Sequence, residues 1–144
     1  MRIIRYIVVH CTASTPDATV EDIKRYWKEQ LKWKNPGYHY IILRDGEVVK
    51  LQEEDKIANG ASSYNKIAIH IAYIGGINKS GTPTDNRTQL QKHAMFDLLV
   101  ELSEKYPHAK IVGHRDLPKV KKACPSFDVA AWLQDYEPNF PMAA

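Results

Sequence analysis

The stretch Ile3-Ile4-Arg5-Tyr6-Ile7-Val8-Val9-His10-Cys11 decides the fold. Residues 3 to 10 form a nearly continuous β-branched and apolar run, the pattern of a central strand covered on both faces. The run halts at a polar pair, His10 and Cys11. Working outward, Ile67 to Ile74 is a second buried-strand run, closed by Gly75 and Gly76, and Lys110 to Gly113 is a last short one. Thr19, with Asp22 three residues on, reads as a helix N-cap, and Val20, Ile23, Trp27 and Leu31 follow at spacings of three and four, so an amphipathic helix should run to just before Asn35. Tyr38 to Leu43 and Glu47 to Leu51 flank Arg44, Asp45 and Gly46, a strong hairpin signal. Thr88 and Gln91 make a capping box that opens a helix to about Lys105, with Leu90, Ala94, Leu98 and Leu102 as its inner stripe. Asp128 caps a final helix carrying Val129 and Trp132. The order strand, helix, hairpin, strand, helix, strand, helix predicts an α/β fold, a mixed central β-sheet with helices packed on its faces, in a single domain over 1–144 with 137–144 as a loose tail.

Composition agrees with one globular domain. The chain has 144 residues, 44% hydrophobic and 26% charged, enough to bury roughly two thirds of its unfolded surface. No apolar run approaches the ~20 residues needed to cross a bilayer, and Met1 leads into the first strand without a cleavable secretory pattern. The expectation is a protein made in the cytoplasm without a signal peptide and without stable membrane association. The net charge is only +3, and the basic residues are scattered except for Lys119, Lys121 and Lys122, which argues against nucleic acid as a partner. Two cysteines, Cys11 and Cys124, are too few for a disulfide framework.

The residues that could carry chemistry are His10 at the exit of the first strand, His114 at the exit of the last, and Cys124 in the loop beyond. Strand exits of open α/β sheets are where binding sites are built. Two imidazoles and a thiolate suit one Zn2+ ion, and three protein ligands leave a fourth position for a water whose pKa the ion lowers to about 7, as in hydrolases. On spacing alone a second reading stays open, in which both histidines are satisfied buried side chains and Cys124 is a packed thiol. Cys11 adjoins His10 on an extended strand, points to the opposite face, and reads as a small core residue. His39 likewise alternates with Tyr38, and either orients a neighbour or packs.

Five blocks then appear in one order: V-V-H-C-T-A-S at 8–14, G-Y-H-Y-I-I-L-R-D-G at 37–46, Y-I-G-G-I at 73–77, G-H-R-D at 113–116 and K-A-C-P-S-F-D at 122–128. Together they resemble the zinc-dependent N-acetylmuramoyl-L-alanine amidases of the type 2 family, in their phage-lysozyme form, with peptidoglycan recognition proteins as distant relatives. The resemblance implies zinc held by His10, His114 and Cys124. It also implies Tyr38 and Lys122 as catalytic residues and peptidoglycan as the partner. The implied reaction cleaves the amide between N-acetylmuramic acid and L-alanine, carried out by a monomer acting on the cell wall after release or export, and the lysis enzyme of a phage or prophage fits best. The alternatives are a non-catalytic peptidoglycan-binding module and a structural zinc domain with a fourth protein ligand. Thr12 and Asn65 are candidates for the substrate groove. The chain departs from its relatives where many carry a histidine in the loop before the second buried strand, for which Gly60 is the nearest match. It departs again where Ile67, Ala68, Ile69 and His70 replace Asn-Ser-Ile-Gly. His70 is read as a strand histidine on a partly exposed face, with a groove residue as the alternative.

Overall fold

From Ile7 to Cys11 every residue of the opening strand is buried, because it is hydrogen-bonded on both edges and covered on both faces. The computed structural model describes residues 2–136, so the tail expected at 137–144 lies outside the described residues. One five-stranded sheet contains β1 (Tyr6–Cys11), β2 (Tyr40–Ile42), β3 (Val48–Lys50), β4 (Ala68–Tyr73) and β5 (Lys110–Gly113), in the order β3-β2-β4-β1-β5. β1 runs parallel to β4 and β5, β2 is parallel to β4, and only the edge strand β3 is antiparallel. β1 begins at Tyr6 rather than Ile3 because both flanking strands start opposite Tyr6, and Ile3 stays exposed.

The period of two along β1 sorts the molecule into unequal cores. Ile7, Val9 and Cys11 face the larger one, with Met95, Leu98, Leu99 and Leu102 of α2 (Gln89–Lys105) and Val129 of α3 (Val129–Asp135). Val8 faces the smaller one, closed by Ala61 and Leu117 from loops. His10, two residues beyond Val8, therefore emerges on the loop-covered face, where a crevice can form.

Two element expectations need correction. Leu90 is 52% exposed, whereas Gln91 is fully buried and sets how α2 is rotated. Its amide nitrogen donates to the carbonyls of Ile42 and Ile74, and its Oε1 accepts from the Thr88 N–H and from Arg44. The first helix does not continue regularly to Asn35. α1 (Val20–Arg25), with the predicted Thr19–Asp22 capping box, gives way to a π turn at Tyr26–Gln30, where the Leu31 N–H reaches back to the Tyr26 carbonyl. Such turns are rare and often sit at functional sites. This one buries Trp27 against Tyr38, ring centroids 5.3 Å apart. Gly37 is needed there, since a Cβ on it would fall 2.8 Å from the Trp27 ring. Among the described residues no helix is long and apolar enough to cross a membrane.

Candidate active site

His10 leaves the end of β1, His114 opens a 3-10 turn immediately after β5, and Cys124 lies in the loop beyond. That loop is tied back by the Arg115 N–H donating to the Cys124 carbonyl at 2.9 Å. The strands thus bring together residues separated by more than a hundred positions. One ligand atom from each of His10, His114 and Cys124 lies within 4.8 Å of the other two, and His10 Nδ1 is 3.7 Å from Cys124 Sγ. Metal–nitrogen bonds of ~2.1 Å and metal–sulfur bonds of ~2.3 Å at tetrahedral angles set donor atoms roughly 3.3–3.6 Å apart. The trio needs only a small contraction to grip one cation.

The electrostatics agree. Burial, reinforced by His70, His114 and Lys122, holds His10 well below the usual imidazole value. His114 is pushed down to about 4 by burial and by Lys122. Both rings are therefore neutral at pH 7 and have a lone pair to give. The hydrogen bond with the Cys11 thiol and burial push the Cys124 thiol up, opposed by the Cys11 N–H, which points at the sulfur from 3.2 Å, and by Lys122. Full ionisation of that sulfur calls for further positive charge, which a bound cation supplies. Cys11 is buried, as expected of a small core residue.

A cleft of about 730 Å3 opens above the three donors and is also lined by Thr12, Tyr38 and Lys122. Its far wall is built by the π turn and the residues around it, including Tyr26, Trp27 and Trp33. A smaller cavity of about 530 Å3 shares His114 and Lys122 with it. The Tyr38 hydroxyl donates to the Cys11 carbonyl at 3.2 Å, and its ring lies 5.1 Å from that of His10. Burial, then the two nearby sulfurs, raise Tyr38 well above the usual phenol value, so it is a proton-bearing donor. Thr12 accepts from the Gly75 N–H and is hydrogen-bonded to Ser14. Asn65 does not line the cleft. Its side-chain oxygen is turned inward, accepting from the Ala61 N–H and meeting His70.

His70 differs from the sequence expectation. It is fully buried, not partly exposed, because β4 is an interior strand and its ring fills the space beside Gly60. His39 orients a neighbour: its Nδ1 accepts from the His70 N–H at 3.0 Å. The π turn, Trp27 and Gly37 behind Tyr38 were missed by sequence reasoning. The close spacing of Trp27, Gly37 and Tyr38 is not itself a signal, since it takes the fold to stack them.

These features define a class: an α/β domain with a His-His-Cys donor set at the strand exits, beneath an open cleft. The sequence pattern of the N-acetylmuramoyl-L-alanine amidase family (Amidase_2) matches residues 1–127, and the chain belongs to that family. It is 39% identical over 133 residues to an endolysin of Klebsiella phage KP32, covering 91% of this chain and 86% of that protein. Among solved structures, an endolysin from the Thermus scotoductus bacteriophage Ph2119 superposes with a TM-score of 0.78 at 28% identity, covering 93% of this chain and 83% of that one. The N-acetylmuramoyl-L-alanine amidase LysCS from Clostridium intestinale does so with a TM-score of 0.74 at 26% identity, covering 88% and 78%.

Proposed function

We propose that this chain hydrolyses the amide between the lactyl group of N-acetylmuramic acid and the L-alanine of the peptidoglycan stem, using one zinc ion held by His10, His114 and Cys124. Membership of the amidase family supports the reaction, and the convergence of three neutral or ionisable donors at the cleft floor carries the metal assignment. Zinc, when bound, supplies Lewis-acid polarisation of the carbonyl and a lowered pKa for water.

The residues of the chain supply the remainder. Water adds to the carbonyl carbon, the C–N bond breaks, and the products are a lactyl carboxylate and a free L-alanine amine. Negative charge gathers on the carbonyl oxygen on the way. Tyr38, a half-buried phenol whose hydrogen rests on the Cys11 carbonyl, and Lys122 are the two donors on the cleft wall that can meet that charge. The 3.2 Å bond from Tyr38 to the Cys11 carbonyl is long for a hydroxyl donor, so the hydrogen can turn to a substrate oxygen at little cost. Thr12, on the cleft wall next to Ser14, is positioned to contact the substrate.

Cys124→Ala should abolish both zinc retention and amide release, whereas Lys122→Ala should keep zinc and lose most turnover. Mass spectrometry of defined muropeptides should find a new L-alanine amine, suppressed by a chelator and restored by zinc. Full cleavage by a zinc-free Cys124→Ala protein would sink the proposal, and tight muropeptide binding without cleavage by the zinc-loaded wild type would favour the binding-module reading.

A further inference from the structure

We infer that His70 and Asn65 form a hydrogen-bonded chain that fixes which nitrogen of His10 is free to bind a cation. The inference rests on the metal assignment above and adds two residues that do not line the cleft.

The chain starts from a group whose polarity is not in doubt. The backbone N–H of Ala61 can only donate, and it meets the Asn65 side-chain oxygen at 2.8 Å. This identifies that atom as the oxygen. The same oxygen lies 2.9 Å from His70 Nε2, which must therefore carry a hydrogen. In a neutral ring the other nitrogen of His70 is then bare, and it lies 2.8 Å from His10 Nε2. His10 Nε2 must donate, so its hydrogen is spent in the interior. The remaining lone pair of His10 sits on Nδ1, the atom 3.7 Å from Cys124 Sγ. Each link decides the next, from a backbone amide to the metal-facing atom.

His70 is held in this pose from both ends. Its own N–H donates to His39 Nδ1 at 3.0 Å, while its carbonyl accepts the His39 N–H at 2.8 Å. Its ring stacks on that of His39 at 6.0 Å between centroids. Gly60 supplies the room. A Cβ at that position would fall 2.5 Å from the His70 ring and 2.9 Å from His10 Nε2. Any larger residue at 60 would displace His70 from His10. The glycine in the loop and the histidine on the strand are thus two halves of one arrangement, in which the strand supplies the imidazole that backs His10.

Groups that fix the tautomer of a metal-binding histidine commonly change metal affinity ~10–100-fold when removed. His70→Ala and Asn65→Leu should weaken zinc binding by about that factor in competition with a chromophoric chelator, with His10, His114 and Cys124 intact. The direct readout is the tautomer itself. In zinc-free wild-type protein, long-range 1H–15N correlation spectra should show His10 protonated on Nε2 and His70 also on Nε2. In Asn65→Leu the His10 proton should spread over both nitrogens. This spectrum needs no zinc, so Cys124→Ala should give the wild-type tautomers while failing to bind the ion. A His10 proton on Nδ1 in the wild type overturns the inference even if a variant fails to fold. So does unchanged zinc affinity in a folded Asn65→Leu protein. Equal zinc binding by wild type and Cys124→Ala would instead overturn the underlying metal assignment, whatever the tautomers.

Discussion

A half-buried phenol and a buried guanidinium differ in the ends their settings suit them to. Tyr38 is kept protonated by desolvation, and its hydroxyl donates to the Cys11 carbonyl; in the proposed reaction it would turn to the substrate oxygen. Tyr38→Phe removes the donor with almost no change of shape. It should lower kcat about 10²–10³-fold while zinc stoichiometry stays the same, which parallel turnover and metal analyses would check. Arg87 serves stability instead. Its side chain is 1% exposed and grips Asp85 through two hydrogen bonds at 2.9 and 3.0 Å. The guanidinium carbon sits 3.4 Å from the centroid of Phe127 and 4.5 Å from that of Trp132. Lysine keeps the charge but lacks the flat fork that can stack and pair at once. Arg87→Lys should therefore cost about 2 kcal/mol or more, seen as a lower melting temperature. Burial raises the Asp85 carboxyl, but the hydrogen bonds and charge of Arg87 outweigh it and hold the group below the ordinary carboxylate value. A depressed folded pKa means that the pair's contribution is complete above the unfolded value of about 3.9 and fades as pH falls toward the folded one. Asp85→Asn should flatten the pH dependence of stability in that acidic range, measured by denaturation at stepped pH.

At the scale of elements, α2 is locked to the sheet by a polar residue rather than by its leucines alone. Gln91 closes the capping box with Thr88 and donates to the carbonyls at the ends of β2 and β4. Replacing it with leucine leaves the Ile42 and Ile74 carbonyls without that donor and removes a partner of Arg44. The Ile42 carbonyl keeps the Ile74 N–H and the Ile74 carbonyl keeps Arg44, but the Thr88 N–H loses its side-chain acceptor. Gln91→Leu should thus destabilise the fold by about 1–3 kcal/mol despite its greater apolarity, as guanidinium unfolding would show. The two capping boxes were legible in the sequence because they are local: Thr19 with Asp22 and Thr88 with Gln91 lie within one turn. The rotation of α2 was not. Leu90 matched the helical period, but the inward pull on Gln91 comes from two strands distant in sequence. The π turn at Tyr26–Gln30 escaped for the same reason, since its backbone pattern follows from seating Trp27 under Gly37 and Tyr38.

For the whole molecule, the proposed ion would join β1 to the turn and loop after β5, tying chain positions that are far apart until the domain folds. An ion bound by the native state alone adds about 4.1 kcal/mol when free metal is a thousand times the dissociation constant. A domain of this size moves by up to about 4 °C per kcal/mol. Chelation should therefore lower the melting temperature by roughly 8–16 °C, and zinc should restore it. A shift that persists in Cys124→Ala would place the stabilising ion elsewhere.

Strand runs, hairpin and caps were set by the order of residues, because burial pattern and turn chemistry act over a few positions, and the proposed ligand residues stood out through the five ordered sequence blocks. So was the alternation that sends Val8 and His10 to one face of β1 and Val9 and Cys11 to the other. Only the tertiary structure decided that β4 and β5 flank β1 and so bring His114 to His10. It alone decided that His70 is buried behind His10, that Asn65 faces inward, and that Trp27 backs Tyr38. The placing of β4, β5 and His70 depends on contacts between segments dozens of residues apart, and that of Asn65 and Trp27 on how nearer loops fold back onto the sheet, where packing rather than local preference chooses the neighbour.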